Sequence, residues 1–183
     1  MASSRMPVFR QFPRVGVPPR YASWEDWTQR IAFMVDSGMV PDHTWFWWDV
    51  RISPGFGTVE VRSMDVQTRV EHALALAALV QALVKELAEA HDAGEEPVII
   101  AHEMLAENKC QAGRHGLEGQ LVDLPSRERV PAVDLARRLY ERLREHAQDL
   151  GAADALDAIP ELFEHGNRAT RQRLVYEASH DLR

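Results

Sequence analysis

Between Val66 and Leu87 the chain places apolar residues at alternating steps of four and three: Val66, Val70, Ala73, Ala77, Val80, Val84 and Leu87. Those steps are the period of an α-helix with one apolar stripe. A second row, Leu76, Leu79, Leu83 and Leu87, widens the stripe, so the helix needs cover on two sides, from its own fold or from a partner. Asp65 is placed to cap it and Gly94 to stop it, which predicts a helix over about 65–93. The most apolar part, Ala73 to Val84, contains Gln81 and is flanked by His72 and Lys85, well short of the ~20 apolar residues of a membrane span. The expectation is a buried helix and no membrane partner.

A chain of 183 residues has room for one ordinary domain or at most two small ones. Its 21 Lys and Arg against 28 Asp and Glu leave a net charge of −7, which argues against a basic nucleic-acid surface. The single cysteine, Cys110, cannot form an intrachain disulfide, and no basic, apolar, small-residue leader opens the chain. Together these predict a cytoplasmic protein.

The first twenty residues hold four prolines and four arginines without a helical or strand period, so 1–22 reads as an extended connection. Ser23 with Asp26 forms a capping signal for a helix carrying Trp27, Ile31, Met34 and Val35, which ends at Gly38. Two β-rich runs follow, Thr44 to Ile52 and Thr58 to Met64, around the turn Ser53-Pro54-Gly55-Phe56-Gly57, predicting a hairpin over about 44–64. Strand alternation puts Val59 and Val61 on one face and Thr58, Glu60 and Arg62 on the other. Beyond the long helix, Pro97 suits the start of a helix to about Lys109, and the glycine-spaced segment Gly113 to Gly119 reads as a loop. Pro131 to Leu150, Ala152 to Phe163 and Ala169 to Ala178 complete the helices. The class is α+β, one hairpin with a predominantly helical remainder.

Glu60 and Arg62 sit two apart on one strand face, about 7 Å from one another. A carboxylate oxygen is the preferred ligand of Mg²⁺, and a guanidinium holds phosphate through a two-toothed fork, so the pair suits a metal beside a phosphate. Spacing alone favours the plainer reading, a solvated strand face with cross-strand charge pairs. The aromatic run Trp45, Phe46, Trp47 and Trp48 could line a nucleotide pocket, but packing is the commoner use; Arg51, on the strand paired with Glu60 and Arg62, stays a candidate. Glu107, Asn108 and Lys109, with Gly113-Arg114-His115-Gly116, could hold an anion, yet the segment lacks the Gly-Lys-Ser/Thr ending of a phosphate loop. His102-Glu103 lacks the second histidine of a zinc-protease helix, and Cys110, with His115 five residues on, reads as an inert small side chain because a thiol-imidazole pair needs proximity in space.

The string Gly57-Thr58-Val59-Glu60-Val61-Arg62-Ser63-Met64-Asp65 resembles the strand motif of the type 2 glutamate-cysteine ligases, an ATP-dependent carboxylate-amine ligase family. Phe12-Pro13-Arg14, Gly16-Val17-Pro18-Pro19, Trp48-Asp49-Val50-Arg51, Glu107-Asn108-Lys109 and Arg114-His115-Gly116-Leu117 follow in the family's order, so the resemblance covers nearly the whole chain. It implies ligation of the carboxylate of glutamate to an amine such as that of cysteine, with ATP consumed through an acyl phosphate and Mg²⁺ neutralising the phosphates. It further implies Glu60 as a Mg²⁺ ligand and Arg62 as a phosphate contact. Arg51 and Arg114 would help to hold phosphate or the substrate carboxylate, with Glu107 and Asn108 beside them in binding ATP or substrate. The implied fold resembles glutamine synthetase, an antiparallel sheet cradling ATP with helices behind it. Family members are about twice this length, so residues 1–183 would be a single C-terminal portion, with the acidic metal-binding strand of the N-terminal half outside it. Homodimers are common among them. The alternative expectation is a noncatalytic helical module that uses the long helix to bind itself or a partner.

Overall fold

The computed structural model describes residues 1–166 and 168–180. Two compact units divide the chain: Arg5–Met64, and Met1–Ser4 together with the chain from Asp65 onward. The α+β class holds, with helices predominating over short two-stranded sheets.

In the unit Arg5–Met64 the opening is not wholly extended. Helix α1 spans Arg5–Phe9, where the Arg5 guanidinium lies over the Phe9 ring, and strand β1, Val15–Gly16, runs parallel to β2, Trp47–Trp48. Pairing with a distant strand rescues a segment that has no period of its own. Helix α2, Trp24–Asp36, begins at the expected cap: Ser23 Oγ accepts from the Asp26 N–H at 3.2 Å, and the Asp26 carboxylate accepts from the Ala22 N–H at 2.9 Å. Ser23→Ala is expected to cost about 1 kcal/mol, read as a lower denaturation midpoint; an unchanged midpoint would show the cap to be redundant. Trp27 and Ile31 of α2 pack with Val40 and Phe46 into a small core, against which Met34, Val35, Trp48 and Ile52 are half-buried.

The hairpin is shorter than its sequence pattern. Residues His43–Trp45 form a 3₁₀ turn, and the paired strands are β3, Val50–Ser53, and β4, Thr58–Val61. Arg51 lies directly across from Glu60, and Val50 and Ile52 lie across from Val61 and Val59, so one face is apolar and the other charged.

The second unit is built on α3, Val70–Asp92. It starts at Val70, with the cap position at Arg69, four residues after the predicted Asp65, and Arg69 supplies no side-chain cap. Val66 and Thr68, β-branched and poor helix formers, stand in the gap. Ala75, Ala78 and Ala82 form its buried line, packed with Tyr140, Leu143 and Ala147 of α5, Ala132–Asp149, and with Leu156 and Ile159. Val66, Val70, Val84 and Leu87 of the first apolar row are exposed, whereas Leu76, Leu79 and Leu83 of the second pack on the core. Alanines win because they let α5 approach closely. Gly94, at φ +75°, follows the last turn as expected.

Helix α4 runs His102–His115, so it begins after Pro97 rather than at it and absorbs half of the expected loop; a 3₁₀ turn, Gly116–Glu118, takes most of the rest. A second hairpin, β5 (Gln120–Asp123) with β6 (Glu128–Pro131), stands where no strand was expected. The helix expected over Ala152 to Phe163 is two, α6 at Ala153–Leu156 and α7 at Ile159–His165, because Pro160 fits the first turn of a helix but not its middle. Helix α8, Arg168–Ser179, closes the described chain. Among the described residues no helix is long and apolar enough to cross a membrane.

Candidate functional site

Pairing register decides the site. Because β3 and β4 are antiparallel with Arg51 opposite Glu60, and Arg62 follows Glu60 by two, three charged side chains converge on one hairpin face. Arg51 Nη2 donates to Glu60 Oε2, and Arg62 Nη1 donates to Glu60 Oε1 at 2.6 Å. Arg51 Nη1 also donates to the backbone carbonyl of Thr44 at 2.6 Å, and the Arg62 N–H donates to the carbonyl of Asp49 at 2.7 Å. The Nε atoms of both arginines are buried with no hydrogen-bond partner. The Glu60 side chain is 39% exposed, against 14% for Arg51 and 25% for Arg62. One carboxylate is thus open to solvent between two largely covered guanidiniums.

Partial burial pushes the Glu60 carboxyl up, but hydrogen bonding and attraction from Arg51, with Arg62 adding to both, outweigh it and hold the group below its ordinary 4.5. Above that value the carboxylate is ionised and its pairing stabilises the fold; as pH falls through the lowered value the stabilisation is lost.

The Arg51–Glu60–Arg62 trio carries one net positive charge, which suits an anion more than a bare cation. Among the described residues no group of three His, Cys, Asp or Glu could cage a metal. Mg²⁺, however, is commonly held through one or two carboxylates with substrate phosphates and water completing its shell. The trio therefore fits Mg²⁺ arriving with a polyphosphate, with Glu60 as its protein ligand, and does not fit the free ion.

Glu107, Asn108 and Arg114 lie on α4 in the other unit. The Asn108 amide is taken up by the second hairpin, donating to the Val122 carbonyl at 2.6 Å and accepting the Val122 N–H at 2.9 Å. Its work is to clamp β5 onto α4, a role that sequence spacing gave no sign of. Glu107 accepts from Gln111 Nε2 at 2.7 Å. Arg114 is exposed on the last turn of α4 and lines an open cleft of about 450 Å³ with His115, Glu118 and Arg173. Cys110 is exposed and free.

In this unit His72, expected only as a polar flank of the apolar stretch, is buried. His72 faces Glu161, Nε2 to Oε2 3.3 Å, while Arg69 pairs with the same carboxylate. This network ties the start of α3 to α7.

The family model described as glutamate-cysteine ligase family 2 (GCS2) matches residues 1–182. The chain belongs to this family. A relative in Rubrobacter xylanophilus, with the provisional name glutamate–cysteine ligase 2-1, is 42% identical over 179 residues, covering 98% of this chain and 47% of its own. One in Ruegeria pomeroyi, provisionally glutamate–cysteine ligase 2, is 37% identical over 96% of this chain and 46% of its own. One in Solibacter usitatus, under the same provisional name, is 32% identical over 100% of this chain and 48% of its own. The chain spans about half the length of the curated relatives it matches.

Proposed function

We propose that this chain is the portion of an ATP-dependent carboxylate-amine ligase that carries the phosphate-facing hairpin. The observation behind this reading is the convergence of two guanidiniums on one half-exposed carboxylate, in a chain of glutamate-cysteine ligase family 2. In the proposed reaction a carboxylate oxygen of glutamate attacks the γ-phosphorus of ATP and ADP leaves. The amine of an acceptor such as cysteine then attacks the acyl carbon, loses a proton and expels phosphate. Such a reaction depends on positioning and on neutralising charge that develops on phosphate. Arg62 would face the transferring phosphate; Glu60 would hold Mg²⁺, which when bound neutralises phosphate charge. Arg51 is proposed to belong with them, Arg114 is a further cation proposed for phosphate or substrate carboxylate, and the setting is the cytoplasm. The remaining parts of the substrate site are proposed to lie in the half of the relatives that this chain does not match.

Calorimetric titration with Mg-ATP, with Mg²⁺ alone and with ATP alone tests the reading. The expected order is measurable binding of Mg-ATP, weaker binding of ATP and none of Mg²⁺. Binding of Mg²⁺ alone would contradict the charge argument, and no binding of any of the three would contradict the nucleotide role.

The exposed apolar side of α3, with Val70, Leu74, Val84 and Leu87, favours a second reading, a helical module that pairs with another copy. It predicts a mass in solution that rises with concentration and no effect of nucleotide.

A further inference from the structure

We propose that Arg51 is a positioning residue: it fixes the carboxylate of Glu60, and through it Arg62, and leaves the contact with phosphate to Arg62. The proposal rests on the ligase reading above and narrows the part that Arg51 plays in it.

The two arginines differ in how their donors are used. Both terminal nitrogens of Arg51 already have acceptors, Nη1 the Thr44 carbonyl at 2.6 Å and Nη2 the Glu60 carboxylate, and its Nε is buried. A guanidinium holds phosphate through a planar fork of adjacent N–H groups, and in Arg51 each terminal nitrogen already gives one N–H to the protein, which fixes the fork toward Thr44 and Glu60. The Thr44 carbonyl is a neutral backbone acceptor fixed by the 3₁₀ turn, so no change of protonation frees Nη1. Arg62 is different. Its Nη1 meets Glu60 Oε1 at 2.6 Å, Nη2 has no acceptor among the described residues, and the side chain is the more exposed of the two. Glu60 lies between them, pulled toward Arg51 by cross-strand register and presenting its other oxygen to Arg62. The order of support therefore runs from the Thr44 carbonyl through Arg51 and Glu60 to Arg62.

This predicts a dependence that a directly binding arginine would not show: the effect of Arg51 passes through Glu60. Two measurements on the full chain test it. The first is the placement of the Glu60 and Arg62 side chains in crystal structures of the variants. Arg51→Met is expected to release the Glu60 carboxylate and shift the Arg62 guanidinium with it, Arg62→Met to leave the Arg51–Glu60 pair in place, and Arg51→Lys, which keeps the charge but not the planar fork, to restore the arrangement in part. A Glu60–Arg62 pair unmoved in Arg51→Met would overturn the proposal whether or not any nucleotide binds. The second is the affinity for inorganic pyrophosphate without metal, measured in a Glu60→Gln background as a double-mutant cycle. There Arg62→Met should weaken binding about tenfold or more, the loss of one charge-assisted hydrogen bond, while Arg51→Met changes it less than about twofold. Equal losses would show Arg51 on the anion and overturn the proposal. If the unmodified chain binds neither pyrophosphate nor Mg-ATP, the ligase reading fails, and the placement of Glu60 and Arg62 in the variants alone decides what Arg51 does. Amide spectra of each variant separate these outcomes from unfolding, with Arg51→Lys available where Arg51→Met does not fold.

Discussion

Replacing Phe46 by Ala is expected to destabilise the unit Arg5–Met64 by about 3–5 kcal/mol, the usual cost of deleting a buried aromatic ring. Phe46 is 1% exposed, packs among Trp27, Ile31 and Val40, and stacks on Trp48 at 4.8 Å between ring centroids. A unit this small has little stability to lose, so such a loss should leave much of it unfolded. The consequence for the site is direct, because Trp48 and Ile52 rest on this cluster and Ile52 belongs to the strand that carries Arg51. All five tryptophans, at 24, 27, 45, 47 and 48, lie in this unit, so intrinsic fluorescence follows its unfolding separately from that of the other unit. A Phe46→Ala variant whose fluorescence midpoint in urea barely moves would show that the hairpin does not depend on the aromatic platform.

Glu60→Gln is expected to abolish the Mg²⁺-dependent part of nucleotide binding with little loss of fold. The substitution keeps the shape of the side chain but raises the charge of the trio from +1 to +2 and replaces two charge-assisted hydrogen bonds by weaker ones. With 39% of the side chain in solvent, the cost to stability is about 1 kcal/mol, since exposed ion pairs are worth little. Acid response gives an independent check. The Glu60 carboxyl is held below its ordinary 4.5, so the native chain should lose stability as pH falls from about that value through the lowered one. The variant, which has no proton to take up there, should lose less over the same range. Equal acid sensitivity in the two proteins would remove Glu60 from the account of stability, and retained Mg-ATP affinity would remove it from metal binding.

The charged hairpin face could be read from sequence because strand alternation is strict, and Glu60 and Arg62 meet even though β4 ends at Val61, short of the expected Met64. Their convergence with Arg51 needed the register, and the Thr44 carbonyl that anchors Arg51 is a backbone group with no sequence signature. The cap at Ser23 was legible because its chemistry is local. The second hairpin was not, since each of its strands is four residues long and its turn, which places Arg127 at φ +63°, lacks the glycine that marked the first. On α3 two apolar rows were visible, but which one is buried depends on the helix that approaches, and the alanine line takes that place by being small. Asn108 shows the same limit in the site: its residue type suits a ligand as well as it suits Val122, and tertiary contact made the choice.

The most direct measurement is thermal unfolding followed by tryptophan fluorescence, with no addition, with Mg²⁺, with ATP and with both, on the native chain and on Glu60→Gln. The account predicts the largest upward shift with Mg²⁺ and ATP together, of the size mass action allows, about 2.7 kcal/mol at a hundredfold excess over Kd, a smaller one with ATP alone, and no gain from Mg²⁺ in the variant. A cooperative transition that Mg-ATP leaves in place, or a gain from Mg²⁺ that survives Glu60→Gln, would contradict it.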